Sequence, residues 1–338
     1  MTQPSRTAVR PQTYRWIILA LALASVGIAA LASLFLGVKA TAPSAVVDAL
    51  TGAPDPYMAA VLDARIDRTV VGIVCGAALA MSGVIIQGIT RNPLGEPGLL
   101  GVTVGSSAAV VTVAAVTGQA IAGSSVWVAF SGALATTIAV YAIGTRTAQR
   151  SVVGLLLTGA VISAVLSAYI QTIILTHPAV FDSYRFWVIG ALGGRDLGAV
   201  ADVAPLLLAG IILAAVLGPS LNNLALGEDV ASSLGTPIAL VRAGGLIASA
   251  LLAAAATAVA GPITFVGLVV PHLARSLVGI DHHWQVPIAA LLGATLLVAA
   301  DVVGRTIARP EEIMVGIITA VIGAPFLLLA VRRGWLAS

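Results

Sequence analysis

The chain has 338 residues, of which 59% are hydrophobic and 9% charged, with 35 glycines and a formal net charge of +3. A mean hydropathy of +1.05 excludes a soluble globular domain, in which the apolar share is about half and the charged share about a quarter. The lone cysteine, Cys75, excludes an internal disulfide.

Apolar runs of about 20 residues, the length that crosses roughly 30 Å of hydrocarbon as a helix, recur from end to end. They are continuous rather than alternating and rich in Ala, Leu and Gly, which argues for helices and against a barrel. The predicted fold is therefore all-α: a polytopic membrane protein of about ten transmembrane helices, forming a single domain over 1–338. In chain order the spans are predicted at 16–36, 69–88, 98–117, 125–144, 151–175, 200–220, 238–260, 263–279, 286–304 and 312–331.

The first span follows Arg6, Arg10 and Arg15, as the core of a signal peptide would, but it runs about 20 residues where such a core has about 7 to 15. It reads as a retained anchor behind a tail of residues 1–15. An even number of spans places both termini on one face. With that face cytoplasmic, ten of the 17 basic residues lie inside: Arg6, Arg10, Arg15, Arg91, Arg146, Arg150, Arg242, Arg275, Arg332 and Arg333. Excess arginine on one face sets the orientation. Of the 14 acids only Glu96, Glu228, Asp229 and Asp281 fall there.

Just before the second span, RIDR places Arg65 and Arg68 one helical turn apart, and Arg305 follows the ninth span. Three outer guanidiniums could hold carboxylates of a soluble partner bidentately. Local pairing with Asp63, Asp67 and Glu311, or snorkelling, is the other reading. Gly72 with Gly76, and Gly101 with Gly105, have the spacing that lets helix backbones approach closely. In the fifth span Ser163, Ser167 and Gln171 recur every four residues, and the tenth offers Gly316, Thr319 and Gly323. Such stripes suit either a translocation path or helix packing.

Between the sixth and seventh spans lies a cytoplasmic loop, 222–237, containing LGEDVASSLGTP. Glu228 and Asp229 after Gly227 favour a helix start, Gly235 can close it, and Pro237 prevents continuation. Two turns are too few to be stable alone in water. Val230, Ala231 and Leu234 would offer a small apolar face to the groove of a partner, or would hold an interfacial helix on its own bundle.

Transport against a gradient needs an energy source, and none is visible. No phosphate-binding Gly-x-x-x-x-Gly-Lys-Ser/Thr loop occurs, and Lys39 is the only lysine. His272 lacks the second histidine of a zinc-protease helix, and His282 and His283 are adjacent, so no metal site or catalytic residue is expected. The span interiors are nearly free of ionisable groups, with Asp202 and Asp301 near outer ends, which argues against ion coupling. Energy supplied by a partner is favoured; a secondary carrier for a small solute, not powered by ATP, is the alternative.

At RNPLGEPGLLGVTVG (91–105) the sequence resembles the FecCD family, the permease subunits of bacterial importers for ferric siderophores, haem and vitamin B12. The likeness extends over RIDR, GAALAMSGVIIQGITRNPLGEPGLLG, LGEDVASSLG, GPITFVGLVVPHLARSLVGIDHH and ADVVGRTIARPEEIMVGIITAVIGAPFLLLAVRR. It implies a BtuC-like permease in the bacterial cytoplasmic membrane, with both termini cytoplasmic. Its partners would be a second, identical or homologous permease, two ATPase subunits that bind ATP and Mg, an extracytoplasmic substrate-binding protein, membrane lipid and an iron chelate. No nucleic acid and no cofactor of this chain's own are expected. The resemblance makes Gly227, Glu228, Ala231, Leu234 and Gly235 the ATPase dock and Arg65, Arg68 and Arg305 the receptors for glutamates of the binding protein. It also assigns the central path to the fifth and tenth spans. Where the family often has arginine, leucine, proline, arginine, Ile66 and Asp67 stand between the two arginines here.

Overall fold

In the computed structural model of the chain, residues 11–118, 126–144 and 152–332 are described, apart from 39, 40, 42, 43, 45, 49–51, 53 and 54. Arg6, Arg10, Lys39, Arg146, Arg150 and Arg333 lie outside the described residues, as does most of the 1–15 tail. The helices are α1 (Gln12–Phe35), α2 (Pro56–Thr90), α3 (Val102–Thr117), α4 (Val126–Gly144), α5 (Val152–Thr176), α6 (Pro178–Trp187), α7 (Leu197–Ala225), α8 (Glu228–Ser233), α9 (Ile238–Ala260), α10 (Val266–Val278), α11 (His282–Ile307) and α12 (Val315–Arg332). Seven are long and apolar enough to cross a membrane, and shorter apolar segments in α3, α10 and α12 occupy the remaining predicted spans.

The pillar is α2. Its 35 residues extend about 50 Å at about 1.5 Å each, and 78% of its most apolar stretch is buried. Helices α11, α9, α10 and α7 pack around it. Lipid is as apolar as the side chains, so close contact and hydrogen bonds hold such helices together. A Cβ at Gly76 would collide with the backbone of Gly293 on α11, and one at Gly293 with Gly76. The small-residue spacing of α2 thus serves packing. One helical turn and a half further on, the Ser82 hydroxyl lies 2.7 Å from that of Ser249 on α9.

Helices α3 and α10 are among those that begin later than the sequence pattern suggests. The segments before α3 and α10 carry Pro93, Gly95 and Pro97, and Gly261 and Pro262, which resist regular helix; only a 3-10 turn, Pro97–Leu100, forms there. The two segments meet where the Phe265 amide donates to Glu96 Oε1 at 3.0 Å. Phe265 is left-handed, with φ 69°. Glu96, expected in a cytoplasmic loop, turns into the bundle and lines a cavity of about 240 Å³ with Leu79, Thr103, Thr257 and Thr264. Non-helical backbone within a membrane protein is tolerated where it is buried or lines a cavity.

Candidate functional site

Three groups of residues stand out, two at opposite ends of the bundle and one along α12. At one end α8 forms as its caps dictate. Gly227 precedes it with φ 114°, Gly235 follows with φ 78°, and the Thr236 amide donates to the Ala231 carbonyl at 2.9 Å, a glycine-closed helix end. Glu228 accepts from Arg242, and Asn223 donates to the Thr236 hydroxyl at 3.0 Å, tying the loop to α7 and α9. The apolar face proposed from sequence divides in two. Ala231 is completely buried against the bundle, so it seats the helix, while Leu226, Val230 and Leu234 (58% exposed) point away from it.

The same end holds a polar clamp. Arg15 Nη1 lies 2.9 Å from Asp281 Oδ2, Asn222 donates to Asp281 Oδ1 at 2.9 Å, and the His282 amide donates to Asn222 Oδ1 at 2.7 Å. Burial opposes ionisation of Asp281, but hydrogen bonds from Asn222 and His283 and the Arg15 charge outweigh it and hold its carboxyl below the usual carboxylate range. Both Arg15 and Asp281 were assigned to one face from charge, and the pair joins them.

At the opposite end the arginines are turned inward. Arg65 is buried, and its Nη1 donates to the Leu34 carbonyl at 2.6 Å and the Thr41 hydroxyl at 3.1 Å. Arg68 Nε donates to Asp301 at 2.9 and 3.0 Å, and its Nη1 lies 2.8 Å from Glu312 Oε2. Arg305, also buried, faces Asp301 Oδ2 at 2.9 Å and donates to the Ser33 hydroxyl at 2.7 Å. Arg68 pairs with Asp301 and Glu312, and Arg305 with Asp301, rather than with the Asp63, Asp67 and Glu311 weighed from sequence. The sequence reading missed Asp301, Glu312 and the exposed Arg309, which stands within electrostatic reach of Arg65. Only the four-residue spacing of Asp301 and Arg305 on one helix hinted at the network.

Along α12 the small residues face the interior. A Cβ on Gly316 would collide with the Ile189 carbonyl and one on Gly323 with the Phe265 side chain, while Thr319 is buried and its hydroxyl bonds Gly316 of its own helix. Gly316 still reaches the edge of a cavity of about 740 Å³. The walls of that cavity are Ile317, Ala320, Val321 and Ala324 of α12 with Val188, Ile189 and Pro262; Thr103 and Thr264 supply its hydroxyls. On α5, Ser167 and Gln171 are exposed and Ser163 is half-buried. Helix α5 packs on α3, α4 and α6, whereas α12 packs on α11 and α10.

A bundle of long apolar helices with a cavity beside Glu96, an open groove along one helix and a short exposed helix at one end fits one class: a multi-pass membrane transport permease. Residues 10–333 match the FecCD transport family, and the chain belongs to that family. It is 42% identical over 309 residues to the ferric enterobactin transport system permease protein FepD of Escherichia coli (strain K12), covering 90% of this chain and 92% of that one. Identity to the hemin transport system permease protein HmuU of Yersinia pestis is 36%, over 80% and 83% of the two chains. Among solved structures, a metal-chelate type ABC transporter in an inward-facing conformation superposes with a TM-score of 0.80 at 30% identity, over 94% of this chain and 99% of that one.

Proposed function

We propose that this chain is the membrane permease subunit of an ATP-binding-cassette importer and passes an iron chelate, of the ferric siderophore or haem kind, through the bacterial cytoplasmic membrane. The α8 end is cytoplasmic, with both termini on that face, and the arginine end is extracytoplasmic. The observation that carries the reading is α8, a six-residue helix seated by a buried alanine and capped by two glycines, at which Leu226, Val230 and Leu234 stand without cover among the described residues. A helix that short needs a surface to pack on, and an ATPase groove supplies one in the helix-in-groove mode. ATP and Mg are held by that partner.

The permease does no bond chemistry. Closure of the ATPase pair pulls α8, and through Glu228, Arg242 and Asn223 it pulls α7 and α9. The path runs along the open faces of α5 and α12, which pack on different neighbours within one chain and converge when two permeases pair. The walls beside α12 are apolar with two threonine hydroxyls, a surface that lets a chelate slide past without holding it.

The test is gentle extraction of the tagged chain from its native membrane, followed by identification of what accompanies it. An ATPase with a phosphate loop that is retained with the parent chain and lost with Leu234→Asp is the expected result. A folded, intact parent that brings no ATPase would overturn the reading.

A further inference from the structure

The arginine end poses a problem for any acidic partner: Arg68 and Arg305 are already neutralised from within. The two carboxylates that do this are not equivalent. Asp301 is 2% exposed and held by both arginines, while the Glu312 side chain is 42% exposed and, among the described residues, is ion-paired with Arg68 alone, at Nη1. A carboxylate arriving from water cannot reach Asp301. It can take the place of Glu312, because it brings the same charge to the same guanidinium edge.

Glu312 also sits where such an exchange would matter. The 308–314 turn that carries it leads into α12, whose Ile317 and Val321 line the large cavity. Besides the Glu312 pair, the turn is held by the Ile313 amide on the Gly304 carbonyl and the Glu311 amide on the Ala308 carbonyl, each at 3.0 Å. The first turn of α12 is held by the Gly316 amide on the Gly190 carbonyl at 3.3 Å. The exposed Arg309, on the same turn, gives an approaching acid its first contact.

We infer that Glu312 is an internal stand-in for a carboxylate of the extracytoplasmic partner, and that docking exchanges one for the other on Arg68, freeing the 308–314 turn and the entry to α12. This rests on the reading of the arginine end as a dock for an acidic binding protein, and it adds regulation to that dock: the chain holds its own latch until the partner arrives. The partner presents a glutamate or aspartate on a protruding lobe able to reach past Arg309.

The experiment uses the whole importer in nanodiscs with its substrate-binding protein, comparing the parent with Glu312→Gln, Glu312→Asp and Arg309→Glu. Removing the competing charge in Glu312→Gln should tighten docking by about tenfold, with Glu312→Asp between it and the parent. Arg309→Glu should slow association by about tenfold, less so at high salt. Without any binding protein, hydrogen exchange of the 308–314 amides should be faster in Glu312→Gln than in the parent. If Arg309→Glu slows docking while Glu312→Gln leaves it unchanged or weaker, the dock stands and the exchange is wrong. If no variant alters docking, the dock itself is wrong. Unchanged amide exchange in Glu312→Gln would show that Glu312 does not hold the turn.

Discussion

Asp301 is the residue on which the arginine end turns. It is buried between Arg68 and Arg305, and removing one partner of a buried ion cluster leaves the others uncompensated, at a cost of about 3–5 kcal/mol. Asp301→Asn is expected to lower the melting temperature in detergent clearly. The double reversal Arg65→Glu, Arg68→Glu, which a reading of the sequence treats as a surface change, would put one new carboxylate beside Asp301 and another against the Leu34 carbonyl in the buried site of Arg65, and loss of folded protein is expected instead. The RIDR spacing was legible in the sequence. Its true partner was not, because Asp301 is 233 residues away and the nearby Asp67 offered a plausible decoy. Asp281 illustrates a second residue-scale effect, at the other end. Its carboxyl is held below the usual range, so its stabilisation is complete above the unfolded value and is lost as pH falls through the folded one. The melting temperature should fall on acidification below the ordinary carboxylate range, and less steeply in Asp281→Asn.

At the scale of the element, α8 shows what local sequence can and cannot specify. Its start, its glycine ends and its shortness were legible because capping depends on neighbours within a few residues. Which side faces out was not, since that depends on how α7 and α9 present the loop. The structure gives Ala231 and Leu234 opposite duties, and the two should separate in experiment. Leu234→Asp places a charge on the exposed face, so it should abolish ATPase capture with the melting temperature unchanged. Ala231→Leu overfills a packed site and should cost about 1–3 kcal/mol; a parent-like melting temperature would mean that Ala231 does not seat the helix. The late starts of α3 and α10 follow the same logic. Pro97 and Pro262 were visible as helix breakers, but the bond from Phe265 to Glu96, which makes the two short segments support each other, required the fold.

For the whole molecule, the question is which surface the cargo touches. Small and polar residues at regular spacing drew attention to Gly316, Thr319 and Gly323, yet in a bundle without a hydrophobic drive between helices those residue types are also what close packing selects. The fold uses Thr319 and Gly323 for packing and leaves Ile317, Ala320, Val321 and Ala324 on the open side of the same helix. One helix therefore has a face that should tolerate bulk and a face that should not. An indole at Ala324 projects into the cavity of about 740 Å³, so Ala324→Trp should leave the importer assembled and its ATPase active while import into proteoliposomes stops. An indole at Gly323 would have to displace Phe265, and through it the segment bonded to Glu96, so Gly323→Trp should fail at folding. Import that persists in Ala324→Trp would move the path off α12 and onto the exposed polar face of α5. Loss of both import and assembly in Ala324→Trp would instead make the open face of α12 part of the contact between the two permeases.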